Sequence, residues 1–327
     1  MENNGKSVYG PPMKQRDVVG YGRNPPDPAW PGGAKLCLSI VLNYEEGGEN
    51  CLLHGDSQSE GLLSEIIGCP PYPNQRHTNM ESLYEYGSRV GFWRIHRILT
   101  QRDMQTTVFA VGMALERNLE ACEAMVEAGW EVSSHGYRWI DYQNVKKEVE
   151  ISHIQKTIKI HEQLIGHRPI GIYQGKPNEN TRQHVVENGF LYDNDCYNDD
   201  LPHWDTTFAK PHLIIPYTLD NNDMRYNINN GFSCSSQYFE YLKDGLDTLL
   251  EEGTAGAPKM MTIGLHCRII GKPGRAKGLV DFLDYVKSKG SEVWVARRDH
   301  IAKHWYENHY PEGHGEPPEV ELVGFKG

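Results

Sequence analysis

The sequence predicts an α/β fold, a distorted parallel (β/α) barrel of about seven strands. Short apolar runs that are typical of strands alternate with apolar residues spaced three and four apart, which is the pattern of helices. Several of the helical stripes end at a glycine, where helices commonly stop. Because the alternation is continuous and no internal repeat is visible, a single barrel is favoured over two domains.

The first half of the chain begins with a strand that is apolar on both faces, as in the middle of a parallel sheet. Strands are predicted over residues 36–43, 106–111, 130–134 and 170–173. Helical stripes are formed by Leu83, Tyr86, Val90 and Trp93, by Leu115, Leu119, Cys122 and Val126, and by Ile151, Ile154, Ile158, His161 and Ile165. Residues 45–79 lack such a pattern, and a loop of that length is usually functional.

The second half continues the alternation. Strands are predicted over residues 191–193, 213–215, 259–267 and 292–296. Helices are indicated around Val185 and Val186, by Tyr238, Leu242, Leu246 and Leu249, by Leu279, Phe282, Leu283 and Val286, and from about Arg297 onwards. We therefore expect an N-terminal arm over residues 1–33, one barrel domain over residues 34–310 and a C-terminal tail over residues 311–327.

Composition excludes several classes of partner. The 33 Lys and Arg against 44 Asp and Glu give a net charge of −11, which is a poor match to nucleic acids and anionic lipids. No apolar run is long enough to cross a membrane, and residues 1–17 contain no signal-peptide core. The seven cysteines are scattered without a C-x-x-C pair, as expected for free thiols. The predicted location is the cytoplasm.

The candidate catalytic residues follow the predicted strands, because the active sites of such barrels lie where strands end. Glu45 and Glu46 follow the first strand, and adjacent carboxylates raise each other's proton affinity, so that one of them can act as a general base. His135 and His266 end two further strands and could stabilise an oxyanion or protonate a leaving nitrogen. The alternatives are a solvated acidic loop and histidines with a purely structural role in the core.

Candidate substrate-binding residues lie beside these positions. Arg138 and Trp139 follow His135, and Arg268 follows His266. Asn222 and Arg225 offer amide and guanidinium donors for a flat polar ring, although their segment could also be a simple turn. The sequence contains no H-E-x-x-H or H-x-H zinc motif, no phosphate-binding glycine loop and no G-x-S-x-G nucleophile motif.

With these strand ends identified, the chain resembles the polysaccharide deacetylase (NodB-like) superfamily from about Lys35 to Trp305, and most closely its allantoinase branch. The resemblance is carried by specific strings, at residues 41–50, 80–89, 134–142 and 216–220. It implies the NodB type of barrel. His266 matches the late catalytic histidine of the family.

The metal site of the family is altered in this sequence. Metal-dependent members have an Asp pair, where Glu45 and Glu46 stand here, and two histidines spaced H-x-x-x-H, of which the second falls on Trp139. An indole is not a zinc ligand, so no metal cofactor is expected. If zinc were bound, Glu46 and His135 would be its ligands. Tyr173 or Gln174 stands where the family has an arginine.

The resemblance implies an amidohydrolase that opens the hydantoin ring of allantoin to give allantoate. Glu45 or Glu46 would activate water, His266 would protonate the leaving nitrogen, and His135, Arg138 or Arg268 would hold the oxyanion. One alternative is a chitin or polysaccharide N-deacetylase that releases acetate with a divalent metal such as zinc. Another is a non-catalytic barrel that serves as a scaffold. The expected partners are a small-molecule substrate and, because extended arms often wrap neighbouring subunits, other copies of the chain in a homo-oligomer.

Overall fold

A curled, mostly parallel sheet forms the centre of the computed structural model, which describes residues 16–66 and 68–322. The strands are β1 (Leu36–Tyr44), β2 (Thr106–Ala110), β3 (Glu131–Ser134), β4 (Gly171–Ile172), β5 (Tyr192–Asp193), β6 (His203–Asp205), β7 (His212–Ile214), β8 (Lys259–His266) and β9 (Val293–Val295). Their order is β6-β7-β5-β4-β3-β2-β1-β8, and β9 pairs with the start of β1. Among these nine strands of the described residues, only the β6–β7 pair is antiparallel, so the α/β fold and its half-barrel sheet are confirmed.

Helices connect the strands and bury one face each. They are α1 (Thr78–Tyr86), α2 (Phe92–Thr100), α3 (Gly112–Arg117), α4 (Leu119–Glu127), α5 (Lys147–Leu164), α6 (Thr181–Glu187), α7 (Ser235–Thr254), α8 (Pro273–Ser288) and α9 (Arg298–Asn308). The apolar faces of α2, α7 and α8 pack with β1 and β8 in the main core. Each of these helices is therefore held by burial of its apolar stripe, which stabilises a helix more than its intrinsic propensity does.

Strand β1 positions the catalytic edge of the sheet. All nine of its residues are buried. The strand lies between β2 and β8 in the sheet, and its start also pairs with β9. In the parallel register with β8, Asn43 lies opposite His266. The carboxyl end of β1 and the carboxyl end of β8 therefore meet, which brings residues more than 200 positions apart to the same edge.

The predicted strands occur within one or two residues of the expected bounds, but β6 was missed. This strand has three half-buried residues and pairs with one neighbour at the edge of the sheet. It therefore lacks the apolar run that marks the buried strands of a parallel sheet.

The predicted stripe of the first helix was wrong. Val90 is exposed, whereas Gly87 and Gly91 are buried in a π-helical turn (Gly87–Gly91) that joins α1 to α2. A Cβ on Gly91 would lie 1.9 Å from the carbonyl oxygen of Cys267. The buried face is set by close backbone approach, which a search for apolar side chains does not detect.

The helix predicted through Leu115 and Val126 is two helices, α3 and α4. The chain breaks at Asn118, whose side chain accepts a hydrogen bond from the Ala121 amide and caps α4. Leu119 and Val126 are consequently exposed, and the stripe predicted across the break does not exist.

The described part of the predicted arm, residues 16–33, lies against the body of the protein. The Trp30 indole packs between Trp294 and Trp305 and donates a hydrogen bond of 3.0 Å to the carbonyl oxygen of Lys259. The remainder of the arm, residues 1–15, and residues 323–327 of the predicted tail lie outside the described residues. Within the part of the chain that is described, no helix is both long and apolar enough to span a membrane.

The buried glycine turn gives the first testable prediction. Gly91→Ala would force a methyl group into the Cys267 carbonyl, and we expect it to lower the free energy of unfolding by at least about 2 kcal/mol. The measurement is denaturant unfolding followed by circular dichroism. Gly274→Ala in α8 is the matched control, because a Cβ there meets no atom within 4 Å, and it should leave stability unchanged or slightly higher. Equal stability of the two variants would contradict this account of the turn.

Candidate active site

Three of the predicted catalytic residues meet at the carboxyl edge of the sheet. Glu45 follows β1, His135 follows β3 and His266 ends β8. The Oε1 atom of Glu45 lies 3.4 Å from Nε2 of His135 and 3.5 Å from Nε2 of His266. All three side chains are buried. One carboxylate oxygen is therefore flanked by two imidazoles, and neither ring nitrogen of His135 has a hydrogen-bond partner in the described structure.

Arg268 lies behind this group and joins the two glutamates. Its Nη1 atom is 2.7 Å from Oε2 of Glu45 and 3.4 Å from Oε1 of Glu46, and its main-chain amide also donates to Glu46. The guanidinium lies over the rings of Tyr84 and Trp139, at 4.2 and 5.2 Å from their centres. Arg268 is thus a fixed buried cation that balances the carboxylates.

Asp223 orients His266 and was not identified from the sequence. Its Oδ1 lies 2.6 Å from Nδ1 of His266, and its Oδ2 accepts hydrogen bonds from the main-chain amides of His266 and Ile270. Asp223 begins a short 3-10 turn (Asp223–Asn227) after β7. The sequence showed only a polar segment there, because the pairing with His266 depends on a tertiary contact across 43 residues.

Charges around the site set the protonation of its members. Burial alone would raise the pKa of Glu45, but the Arg268 guanidinium and the His266 imidazole hold it well below its usual range. Burial raises the pKa of Glu46, and the neighbouring Glu45 charge adds to this against the opposing effect of Arg268. Burial would lower the pKa of His266, but the Glu45 and Asp223 carboxylates raise it to about 9. At neutral pH Glu45 is a carboxylate and His266 an imidazolium.

A cavity of about 160 Å³ opens beside these groups. Its walls are formed by Asn43, Glu45, Leu62, Leu63, His135, Trp139, Tyr173, Gly175, Lys176, Tyr197, Tyr217, Leu219, Asn222, Met224 and His266. Leu62 and Leu63 come from the long loop after β1, so this loop forms part of the cavity wall. A space of this size accommodates one small molecule.

Two of the five predicted substrate-binding residues line the cavity, and three do not. Trp139 and Asn222 line the cavity, but the Asn222 amide already bonds to Tyr217 and to the main chain. Arg138, Arg225 and Arg268 do not belong to the lining. The Arg138 guanidinium instead holds the loop after β1 through the carbonyl oxygens of residues 48 and 49 and the carboxylate of residue 56.

Arg225 pairs with Asp220 near the surface and lies over the rings of Phe232 and Tyr241. Arg225 is engaged by these contacts and does not line the cavity, and its role in substrate binding stays a prediction. Sequence reasoning also missed cavity residues that carry hydroxyl, amide or amine groups, namely Asn43, Tyr173, Lys176, Tyr197 and Tyr217. These residues come from different loops and strand ends, and only the curled sheet brings them together.

The residues present do not fit the metal site of deacetylases. Trp139 stands where the second histidine would be, with its ring beside Arg268 and 3.8 Å from the Lys176 ammonium. Glu46, named above with His135 as a zinc ligand, turns to Arg268, whereas His135 lies beside Glu45. Among residues 16–66 and 68–322, no group of three or more His, Cys, Asp or Glu is arranged to hold a metal ion.

Comparison with known proteins agrees with the fold and the motifs. The model of the polysaccharide deacetylase family matches residues 76–192. A protein of Schizosaccharomyces pombe, assigned by name to the polysaccharide deacetylases, is 43% identical over 317 residues, covering 90% of this chain and 98% of the relative.

Two crystal structures extend the match across nearly the whole fold. A protein of Pseudomonas aeruginosa PAO1, also assigned by name to the polysaccharide deacetylases, is 55% identical with a TM-score of 0.88. The Puue allantoinase is 52% identical, also with a TM-score of 0.88. Each match covers 90% of this chain and 98% of the other. The chain therefore belongs to the polysaccharide deacetylase (NodB-like) family and is a hydrolase of carbon–nitrogen bonds.

Proposed function

We propose that this protein opens the hydantoin ring of allantoin by hydrolysis to give allantoate. The observation that carries the proposal is the narrow cavity in which Glu45 faces two histidines, with Arg268 behind it and Trp139 in place of a metal ligand. The similarity to the Puue allantoinase supports the same substrate. The proposal also places the protein in the cytoplasm, which the seven unpaired cysteines favour.

Glu45 is the general base of the proposed reaction. Both glutamates contact Arg268, but Glu45 lines the cavity and Glu46 does not. A water molecule that lies beside Oε1 of Glu45 gives its proton to that atom as its oxygen attacks a ring carbonyl carbon of the substrate. The lowered pKa of Glu45 keeps its carboxylate ionised at neutral pH, so that both of its oxygens are acceptors.

His266 is the general acid. Its Nδ1–H donates to Asp223, so its Nε2–H points towards Glu45 and the cavity. When the carbon–nitrogen bond breaks, Nε2 gives its proton to the leaving nitrogen. The proton taken from water by Glu45 then returns to Nε2 across the 3.5 Å that separates the two atoms, and the site is restored.

The reaction requires no metal in this proposal. His135 lines the cavity, its ring nitrogens make no hydrogen bond within the described structure, and it holds the oxygen on which charge develops. Arg268 supplies the fixed positive charge behind the carboxylates, and a divalent cation placed there would be repelled by it.

Association into a homo-oligomer through the N-terminal arm remains part of the proposal and is tested by sedimentation.

The first test is substrate turnover by the purified protein. We expect allantoin to be converted to allantoate at a rate that a strong chelator does not change, because the acid and base are side chains. An N-acetylated chitin oligomer should release no acetate, because the cavity suits one small molecule. Chelator-sensitive acetate release, without allantoin turnover, would establish the polysaccharide deacetylase reaction instead.

The second test assigns the base. Glu45→Gln should lower kcat by about 10²- to 10⁴-fold, which is the usual contribution of a general base. Glu46→Gln is the matched control, since it removes the neighbouring carboxylate that faces Arg268, and its loss in kcat should be far smaller. Thermal unfolding checks that both variants are folded. A silent Glu45→Gln beside an inactive Glu46→Gln would assign the base to Glu46.

The third test is the pH dependence of kcat. His266 must be protonated to act as the acid, so activity should fall as pH rises through about 9. Asp223→Asn removes a negative charge that raises this pKa, and the alkaline limb should move to lower pH by about 1–3 units. Asp220→Asn, at an exposed carboxylate of the same segment, should leave the limb in place. If the alkaline limb of the kcat profile does not move in Asp223→Asn, His266 is not the acid that titrates there.

A further inference from the structure

Lys176 is a cation at the cavity wall that the proposed mechanism does not use. It follows β4 and lines the cavity together with Glu45 and His135. Its ammonium lies 3.8 Å from the centre of the Trp139 ring. Among the described residues this ammonium has neither a hydrogen bond nor an ion pair, so its three N–H donors are open to a ligand.

The proposed reaction creates a negative charge in this cavity. Allantoin is neutral at pH 7, but water adds to a ring carbonyl carbon and the carbon–nitrogen bond breaks, which leaves a carboxylic acid on that carbon. At pH 7 this acid releases its proton to solvent and becomes a carboxylate. Glu45 beside it is already ionised. Two carboxylates that share one small cavity repel each other unless a cation is close.

The other cations of the site are occupied. Arg268 already pairs with both glutamates, and His266 is held between Asp223 and Glu45. Lys176 therefore is the cavity cation that remains available for a new carboxylate. Resting on the hypothesis of allantoin hydrolysis, we propose that Lys176 binds the carboxylate formed by ring opening and so sets the affinity of the site for its anionic product.

The surroundings of Lys176 are consistent with this role. Burial lowers its pKa, while the carboxylates of Glu60, Glu45 and Asp141 act in the opposite direction. A product carboxylate would add one more negative charge beside the ammonium and stabilise its protonated form. Trp139 holds the ammonium in place through its ring face, and the residue at the position of the lost metal ligand thereby positions a cation.

The test compares binding of the neutral substrate with binding of the anionic product. Lys176→Met should raise the inhibition constant of allantoate at pH 7 by at least about tenfold, which is the usual worth of a charge-assisted hydrogen bond. The KM for allantoin should rise less, since the substrate carries no charge for the ammonium to pair. Lys176→Arg, which keeps the positive charge, should recover most of the affinity for allantoate.

Lys156→Met is the matched control. Lys156 also lies 3.8 Å from the centre of an aromatic ring, that of Tyr137, but it does not line the cavity. Lys156→Met should leave the inhibition constant of allantoate and the KM for allantoin at the wild-type values. Thermal unfolding should show that all variants are folded. If wild-type protein opens allantoin and Lys176→Met binds allantoate as tightly as wild type does, the role of Lys176 is overturned while the proposed function stands. If wild-type protein neither opens allantoin nor binds allantoate, the proposed function is overturned as well.

Discussion

A buried row of alternating charges is the feature on which the site depends. Asp223, His266, Glu45, Arg268 and Glu46 each contact the next, so that every ionised group lies beside an opposite charge. A buried charge without such a partner costs several kcal/mol, and the group would change its protonation instead. The row therefore explains why a fully buried glutamate stays ionised and its neighbouring histidine stays protonated, which is what acid–base chemistry at neutral pH requires.

Close backbone packing positions this row. A Cβ on Gly87 would collide with the Glu46 carboxylate, and one on Gly271 would lie 2.5 Å from the Cα atom of Gly91. The turn between α1 and α2 therefore lies directly against the segment that carries His266 and Arg268. Because backbone is far less adaptable than side chains, the carboxylates and their cation are held at fixed distances before any ligand binds.

The position of Trp139 connects the family fold to the proposed chemistry. The family resemblance implies a metal ligand at this position, whereas here an indole lies beside the Arg268 guanidinium and the Lys176 ammonium. Positive charge at the site thus comes from side chains that are always present. The fold supplies the strand ends, and exchanges at a few of them alter which reaction those ends can carry out.

The sequence by itself determined the alternation of strands and helices, the strand ends that carry Glu45, His135 and His266, and the tryptophan at position 139, where the family resemblance implies a histidine. Periodicity reports local burial, and short motifs report which groups stand at a strand end. Tertiary structure alone decided that Glu45 faces the cavity while Glu46 turns away, that Asp223 orients His266, and that Arg138 and Arg225 lie elsewhere. These outcomes follow from the register of β1 against β8 and from glycine packing between distant segments, and neither leaves a pattern in the local sequence.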